Sequence, residues 1–125
     1  MPVIHHAESR RTETPNAVVT TFASPTLGGA GQVVWRVDMR PGTSGPLHTF
    51  DAEQVWTVLD GGATVELDGE EHAVMPGDTV VMPAEVLRRV HADPEQGFVA
   101  IVAAFPGGSA ATPDSTDRIV PVWTV

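Results

Sequence analysis

Short apolar runs, separated by turn-forming residues, make up most of the chain. The runs are rich in Val and alternate with polar positions, and Gly and Pro interrupt them at short intervals. This pattern is typical of β-strands, because successive side chains of a strand point to opposite faces of its sheet. The predicted strands are 17–22, 32–39, 54–59, 63–67, 71–74, 79–82, 87–90, 98–105 and 119–125.

The alternation is clearest in the second predicted strand. Val33, Trp35, Val37 and Met39 are separated by mostly polar neighbours, so one face of this strand is expected to lie in the core. Many short strands at intervals of about 8 to 12 residues indicate an all-β, antiparallel sandwich or barrel rather than a fold with alternating helices.

Two turn motifs lie between predicted strands. Asp60-Gly61-Gly62 follows the third strand and Asp68-Gly69 follows the fourth. Asp-Gly pairs adopt the positive φ angles of tight hairpin turns. The sequence therefore predicts two hairpins.

The two ends of the chain differ from its middle. Residues 1–16 are polar and predict an N-terminal arm, whereas residues 17–125 predict a single barrel domain. The last predicted strand, 119–125, contains Pro121, which a strand tolerates only at an edge or a bulge. We therefore expect this strand at a sheet border or against a second copy in a homodimer.

The segment 83–91 fits two structures. Pro83 at its front and apolar residues at 86, 87 and 90 are compatible with two helical turns as well as with a strand. Pro94 ends the segment early, and a helix of about two turns needs strong packing to persist. We favour the strand and keep the helix as the alternative.

Length, charge and Cys content limit the number of domains, the possible partners and the possible chemistry. A chain of 125 residues is expected to form one domain. Its net charge of -9 leaves it without the basic surface that nucleic acid or an anionic membrane requires. It has no Cys, which excludes disulfides, thiolate metal sites and a Cys nucleophile. The N-terminus lacks the order of a signal peptide, so a cytoplasmic location is expected.

Two motifs near the middle of the chain resemble those of a known family. Five residues separate Gly42 from His48, and six separate Gln54 from Gly61. The second motif, 76–83, contains Pro-Gly-Asp followed four residues later by Met-Pro. Over residues 30–105 these motifs resemble the cupin superfamily. The resemblance implies a single-domain antiparallel jelly-roll β-barrel of the cupin, RmlC-like type.

Most metal ligands of the cupin motifs are replaced. The resemblance implies a ligand at His48, but Phe50 replaces the second His, Gln54 replaces the Glu, and Arg88 replaces the His of the second motif. A phenyl ring cannot coordinate, guanidinium stays protonated, and an amide oxygen is a weak ligand. We expect no cofactor. If a divalent metal binds, its ligands are expected to be His48, Gln54 and His91, although His91 needs a bulge to face the barrel.

The altered motif predicts a polar site inside an aromatic pocket. The resemblance brings four residues together in the barrel, and alternation adds two more; the set is His48, Phe50, Gln54, Arg88, Trp56 and Val58. We expect Arg88 to hold an anion or enolate, His48 to act as general acid or base, and Gln54 to orient the substrate. Phe50, Trp56 and Val58 are expected to contact it.

Structural roles compete with these functional ones. Arg88 can instead pair with Glu53, Glu66 or Glu85 to avoid an unpaired buried charge. Trp35 and Trp123 are assigned to the core or to an interface.

Three classes of function remain. The favoured one is a metal-independent cyclase, isomerase, dehydratase or epimerase that acts on a small anionic or carbonyl-bearing metabolite. The second is a non-catalytic binding or sensor module, and the third is a metal-dependent, dioxygenase-like cupin. No Ser-His-Asp motif, phosphate loop or dinucleotide fingerprint is evident along the sequence. Catalysis and recognition would use the same polar groups, so the sequence leaves the first two classes open.

Overall fold

Two antiparallel sheets and one short strand pair form the computed structural model of the protein, which describes residues 3–125. The strands are β1 (Arg10–Glu13), β2 (Val18–Ala23), β3 (Val33–Met39), β4 (Thr49–Phe50), β5 (Gln54–Gly61), β6 (Ala63–Leu67), β7 (Glu70–Val74), β8 (Thr79–Met82), β9 (Arg88–Ala92), β10 (Phe98–Ala104) and β11 (Ala110–Ala111). Two single-turn 3₁₀ helices cover His6–Glu8 and Val122–Thr124.

The strand order is that of a jelly-roll barrel. One sheet has six strands in the order β1-β2-β3-β10-β5-β8, and the other has three in the order β7-β6-β9. Strands β11 and β4 form the remaining pair. The all-β, jelly-roll prediction is confirmed. Among the described residues, no helix is long and apolar enough to cross a membrane.

The core lies between the two sheets because the inward side chains of both are apolar. Val33, Trp35, Val37 and Met39 of β3 are all buried, as the alternation predicted. They belong to the same cluster as Val65 of β6 and Val90 of β9, on the opposite sheet. Burial of such side chains is the main force that holds the sheets together.

The segment 83–91 forms a turn and then a strand. Arg88–Ala92 pairs antiparallel with β6 along its whole length. The helical alternative is therefore wrong, and the favoured strand is confirmed. Along β9, residues Arg88, Val90 and Ala92 are buried, whereas Arg89 and His91 are only partly buried. The strand thus turns Arg88 inward and His91 outward.

One of the two predicted hairpins is confirmed. Asp68 and Gly69 have φ angles of 52° and 80° and connect the paired strands β6 and β7. The hairpin at Asp60-Gly61-Gly62 is wrong, because β5 belongs to the six-stranded sheet and β6 to the other. This turn instead carries the chain from one sheet to the next. At Gly61, with φ of 69°, a Cβ would collide with the backbone of Gly97.

The predicted last strand is also wrong. Within 119–125, only Ile119 forms a bridge, with Ala110, and the chain then turns into the 3₁₀ helix. Pro121 accepts a hydrogen bond from the Thr124 N–H at 3.0 Å, which bends the backbone out of the extended form. The Thr21 hydroxyl donates to the Trp123 carbonyl at 2.7 Å and attaches this segment to β2. The homodimer expected from a border strand stays a prediction.

The N-terminal region contains one strand that the polar pattern did not indicate. Arg10–Glu13 pairs antiparallel with β2 at the border of the six-stranded sheet. Two of these four residues are exposed, the other two are only partly buried, and all four are polar, which explains why no apolar alternation marks them.

Candidate functional site

A cavity of about 730 Å³ lies inside the barrel, and its wall is mostly apolar. Both sheets contribute side chains to the wall, and segments 14–17, 110–112 and 119–123 add to it. Ile119 and Val122 line the cavity but are 69% and 66% exposed, so they form part of its rim. A cavity of this size and character is typical of a site for an organic molecule.

Five of the six residues expected at the pocket line this cavity. They are His48, Phe50, Gln54, Trp56 and Arg88. Val58, which was expected to contact substrate, is 1% exposed and belongs to the core cluster instead. It shares the face of Gln54 and Trp56 on β5 but packs in the core and not on the cavity wall.

His48 enters the cavity from the loop before β4. The loop is fixed by two backbone hydrogen bonds between His48 and Arg88, at 3.0 and 2.9 Å. Nδ1 of His48 is 2.8 Å from the carbonyl oxygen of Pro46. A carbonyl can only accept, so Nδ1 carries the hydrogen and Nε2 of the neutral ring carries the lone pair.

The surroundings of His48 favour its neutral form. Burial lowers the pKa of His48 below its ordinary value of 6.5, and the positive charge of Arg88 lowers it further. The hydrogen bond to Pro46 opposes this shift of the pKa but is the smaller effect. Near pH 7 the ring is therefore a base whose Nε2 can accept a proton.

Arg88 is the largest fully buried side chain, with 1% of its surface exposed. Its Nε donates to the Val86 carbonyl at 3.0 Å, and one Nη donates to the Pro83 carbonyl at 2.5 Å. The other, Nη1, is buried and has no hydrogen-bond partner among the described residues. Burial lowers the pKa of Arg88, and the charge of Glu85 partly opposes that shift.

If Arg88 had only a structural role, one of the three candidate glutamates would be expected to pair with its charge. No ion pair within 4.0 Å joins Arg88 to Glu53, Glu66 or Glu85 in the part of the chain that the structure describes. Glu66 instead contacts Arg89 and His91, and Glu85 contacts Arg118. A guanidinium stays protonated even when buried, so the cavity wall carries a positive charge that no acidic side chain neutralises directly.

Gln54 is 5% exposed and is held in one orientation by its neighbour Trp56. The Trp56 indole Nε1 donates to Gln54 Oε1 at 3.0 Å. Because an indole N–H can only donate, the amide oxygen is the atom that it contacts, and the amide NH₂ remains available. The indole ring is itself fixed by stacking on Phe98, with ring centroids 6.3 Å apart. Gln54 therefore offers hydrogen-bond donors to the cavity.

These side chains do not fit the metal that cupin motifs usually hold. Phe50 has no lone pair, Arg88 is a cation, and the oxygen of Gln54 is a weak neutral ligand that already accepts a hydrogen bond from Trp56. His91 does not join His48: its Nε2 is 2.9 Å from Glu66 and its Nδ1 is 2.7 Å from Ser44, on the outer face. Within residues 3–125, no group of three or more His, Cys, Asp or Glu is arranged to hold an ion.

Much of the apolar wall was not predicted from the sequence. Additional residues from both sheets and from the C-terminal segment line the cavity; they are Val19, Trp35, Val37, Met39, Met82, Val90 and Trp123. Alternation had marked the β3 residues as inward but could not separate the core from a cavity wall. Trp123 was assigned to the core or an interface, and no local signal indicates that its segment folds over the barrel.

Comparisons with known proteins agree with this architecture. The Cupin domain family model matches residues 35–103. Auxin-binding protein 1 of Arabidopsis thaliana is 32% identical over 72 residues, which are 57% of this chain and 36% of that protein. The chain thus matches about a third of the length of that curated relative.

Solved structures with the same fold include enzymes of different kinds. The polyketide cyclase RemF from Streptomyces resistomycificus superimposes with a TM-score of 0.75 at 20% identity, covering 94% of this chain and 88% of RemF. A salicylate 1,2-dioxygenase from Pseudaminobacter salicylatoxidans gives 0.67 at 22% identity, covering 77% of this chain and 28% of the dioxygenase. At these identities the likeness concerns the fold.

Proposed function

We propose that this chain, which belongs to the cupin domain family, is a metal-independent enzyme that moves a proton within a small anionic or carbonyl-bearing metabolite. The observation that carries this proposal is the complementary character of three groups in one apolar cavity. Arg88 and the Gln54 NH₂ offer hydrogen-bond donors there, whereas Nε2 of the neutral His48 ring offers a lone pair that can accept a proton.

This arrangement suits removal of a proton from carbon next to a carbonyl group. His48 Nε2 takes the proton, and negative charge develops on the carbonyl oxygen as the enolate forms. Arg88 and Gln54 stabilise that oxygen by electrostatic attraction and hydrogen bonds, which are stronger in an apolar cavity than in water. Return of the proton from His48 to another carbon gives isomerisation, and return to the opposite face of the same carbon gives epimerisation. Transfer of the proton to a departing hydroxyl gives dehydration.

Attack of the enolate carbon on a second carbonyl of the same molecule, whose oxygen then takes the proton from His48, gives cyclisation. The aromatic walls formed by Phe50 and Trp56 can hold a folded, unsaturated substrate in place for this step. The shared fold with RemF, a polyketide cyclase, is the reason to place cyclisation first among the four reaction types.

Phenylpyruvate is a suitable test compound, because it combines a carboxylate for Arg88, an acidic CH₂ for His48 and a ring for the aromatic wall. In D₂O, with EDTA present, we expect the protein to catalyse deuterium incorporation at that CH₂, measured by NMR against the buffer rate. His48→Gln should lower the catalysed rate about 100-fold, as expected for loss of a general base. His72→Gln, at an exposed His, is the matched control and should leave the rate unchanged.

The second candidate is a binding or sensor module. Its specific support is the match to Auxin-binding protein 1, because the name of that protein states a binding role. This candidate predicts that phenylpyruvate raises the thermal midpoint of the protein while deuterium incorporation stays at the buffer rate. The same variants serve both tests, so the two candidates are separated in one experiment.

The dioxygenase-like candidate requires a bound redox metal. The fold neighbour of that type supports it only at the level of the barrel. The residues around His48 do not supply the imidazole and carboxylate ligands that such ions prefer, so we derive no step through a metal.

A further inference from the structure

Three residues on the outer face of the three-stranded sheet form a chain of hydrogen bonds that the barrel cavity does not use. The Ser44 Oγ is 2.7 Å from His91 Nδ1, and His91 Nε2 is 2.9 Å from Glu66 Oε2. Ser44 comes from the loop after β3, Glu66 from β6 and His91 from β9. Because the three lie far apart in sequence, their spacing carries no recognisable motif.

The direction of each hydrogen bond follows from the groups involved. The Glu66 carboxylate accepts from Nε2–H, so the neutral ring of His91 carries its lone pair on Nδ1. That lone pair accepts the hydroxyl hydrogen of Ser44. A serine hydroxyl directed at a histidine base, which an acidic group holds in the required tautomer, is the arrangement that activates serine as a nucleophile.

The surroundings leave room for a substrate. Ser44 is exposed and lies in a groove of about 430 Å³ whose other wall residues are mostly small, including Gly42, Gly62, Ala63 and Ala73. Within the described chain, the backbone N–H of Ser44 makes no hydrogen bond, whereas the next N–H, of Gly45, donates to Val90. The free N–H can donate to an oxyanion that forms beside Oγ.

We propose that Ser44, His91 and Glu66 form a second catalytic site, which hydrolyses esters of short carboxylic acids. Ser44 Oγ attacks the ester carbonyl carbon while its proton passes to His91 Nδ1. The C–O bond to the alcohol then breaks, and His91 returns the proton to the departing oxygen. Water, deprotonated by His91, attacks the acyl group on Ser44, releases the acid and restores the hydroxyl.

Glu66 is a positioning residue in this site, because it acts only through His91. Arg89 Nε lies 3.9 Å from the same Glu66 oxygen and places a positive charge beside the carboxylate. In Glu66→Gln the amide can donate to Nε2, which would move the lone pair away from Ser44. We expect this variant to lower kcat for ester hydrolysis at least tenfold, because His91 would no longer face Ser44 with its basic nitrogen. KM should stay unchanged.

The test uses 4-nitrophenyl acetate as substrate and the release of 4-nitrophenol as the signal. We expect Ser44→Ala to lower the protein-catalysed rate about 100-fold. Ser9→Ala removes the hydroxyl of a serine that lines neither this groove nor the barrel cavity, and should leave the rate unchanged. A thermal scan of each variant confirms that it is folded.

A fluorophosphonate probe gives a second readout, because it forms a stable bond only with an activated serine. We expect one equivalent of label, located on Ser44 by peptide mass mapping and absent from Ser44→Ala. The proposal is overturned if Ser44→Ala hydrolyses the ester at the wild-type rate, or if the label is absent or lies on another residue. Neither result bears on the barrel cavity, whose catalytic residues lie on the inner face of the sheets.

Discussion

The hydrogen bond between Trp56 and Gln54 decides what the cavity offers to a ligand, so its loss is the sharpest test of the site. Trp56→Phe keeps an aromatic ring against Phe98 but removes the only hydrogen that Gln54 Oε1 receives in the described structure. A hydrogen bond of this kind contributes about 1 kcal/mol net, and an unpaired buried acceptor costs about 1–3 kcal/mol. With Gln54 only 5% exposed, we expect the free energy of unfolding to fall by about 2 kcal/mol.

A double-mutant cycle separates this bond from the loss of ring volume. Gln54→Met removes the amide at nearly constant size, and the double variant removes both partners. We expect the double variant to be more stable than the sum of the single effects predicts, by about 1 kcal/mol, measured by urea unfolding. Trp56→Phe combined with His72→Gln, on β7, is the control pair and should be additive within about 0.5 kcal/mol.

Additive effects of Trp56→Phe and Gln54→Met would mean that the two side chains are not coupled by a hydrogen bond. The amide would then not be held by the indole, and its oxygen could face the cavity instead. In that case Gln54 could accept a hydrogen bond from a ligand or contact a cation, and the assignment of the cavity to an enolate oxygen would lose one of its two donors.

The remaining predictions concern titration, charge and backbone. Since burial and Arg88 lower the pKa of His48, its NMR titration should show a midpoint below 6.5, and a midpoint above that value would contradict the site. The unfolded chain then binds the proton more readily than the folded one, so His48 should reduce the free energy of unfolding as pH falls below 6.5, an effect absent in His48→Gln. Arg88→Met should abolish stabilisation by phenylpyruvate in a thermal scan, because no other Arg and no Lys lines the cavity in the described chain; undiminished stabilisation would exclude Arg88 as the anion contact. Gly61→Ala should destabilise the protein by more than about 3 kcal/mol through collision with Gly97, whereas Gly69→Ala, with positive φ but open space, should cost only about 1 kcal/mol; equal losses in urea unfolding would contradict the close approach.

The strands could be predicted from the sequence where one face is buried, because apolar residues then alternate with polar ones. In β3 the inward residues are apolar, and the sequence shows their period directly. In β9 the inward residues include the charged Arg88, so the pattern also fitted a helix and the short length of the segment decided for a strand. β1 was missed because both of its faces are polar or partly exposed. The segment after Ile119 was wrongly predicted as a strand, because Val and Trp favour strands while the bend at Pro121 depends on contacts with β2.

The polar part of the site was predictable because the cupin motifs indicate which side chains point into the barrel. His48, Gln54 and Arg88 occupy motif positions, and the structure brings them to one cavity. Their chemical roles were not predictable to the same degree. The orientation of Gln54 depends on the Trp56 indole, and the tautomer of His48 depends on the Pro46 carbonyl. Both are short-range geometric facts that residue types alone do not specify.

A crystal structure of the protein with phenylpyruvate, grown with EDTA, would locate the ligand relative to the three polar side chains of the cavity. We expect an oxygen of the ligand at hydrogen-bond distance, roughly 2.7–3.2 Å, from Arg88 or the Gln54 amide nitrogen, with the ligand CH₂ facing His48 Nε2. A transition-metal ion on His48 Nε2 in a crystal grown without EDTA, or a ligand seated away from all three side chains, would contradict it.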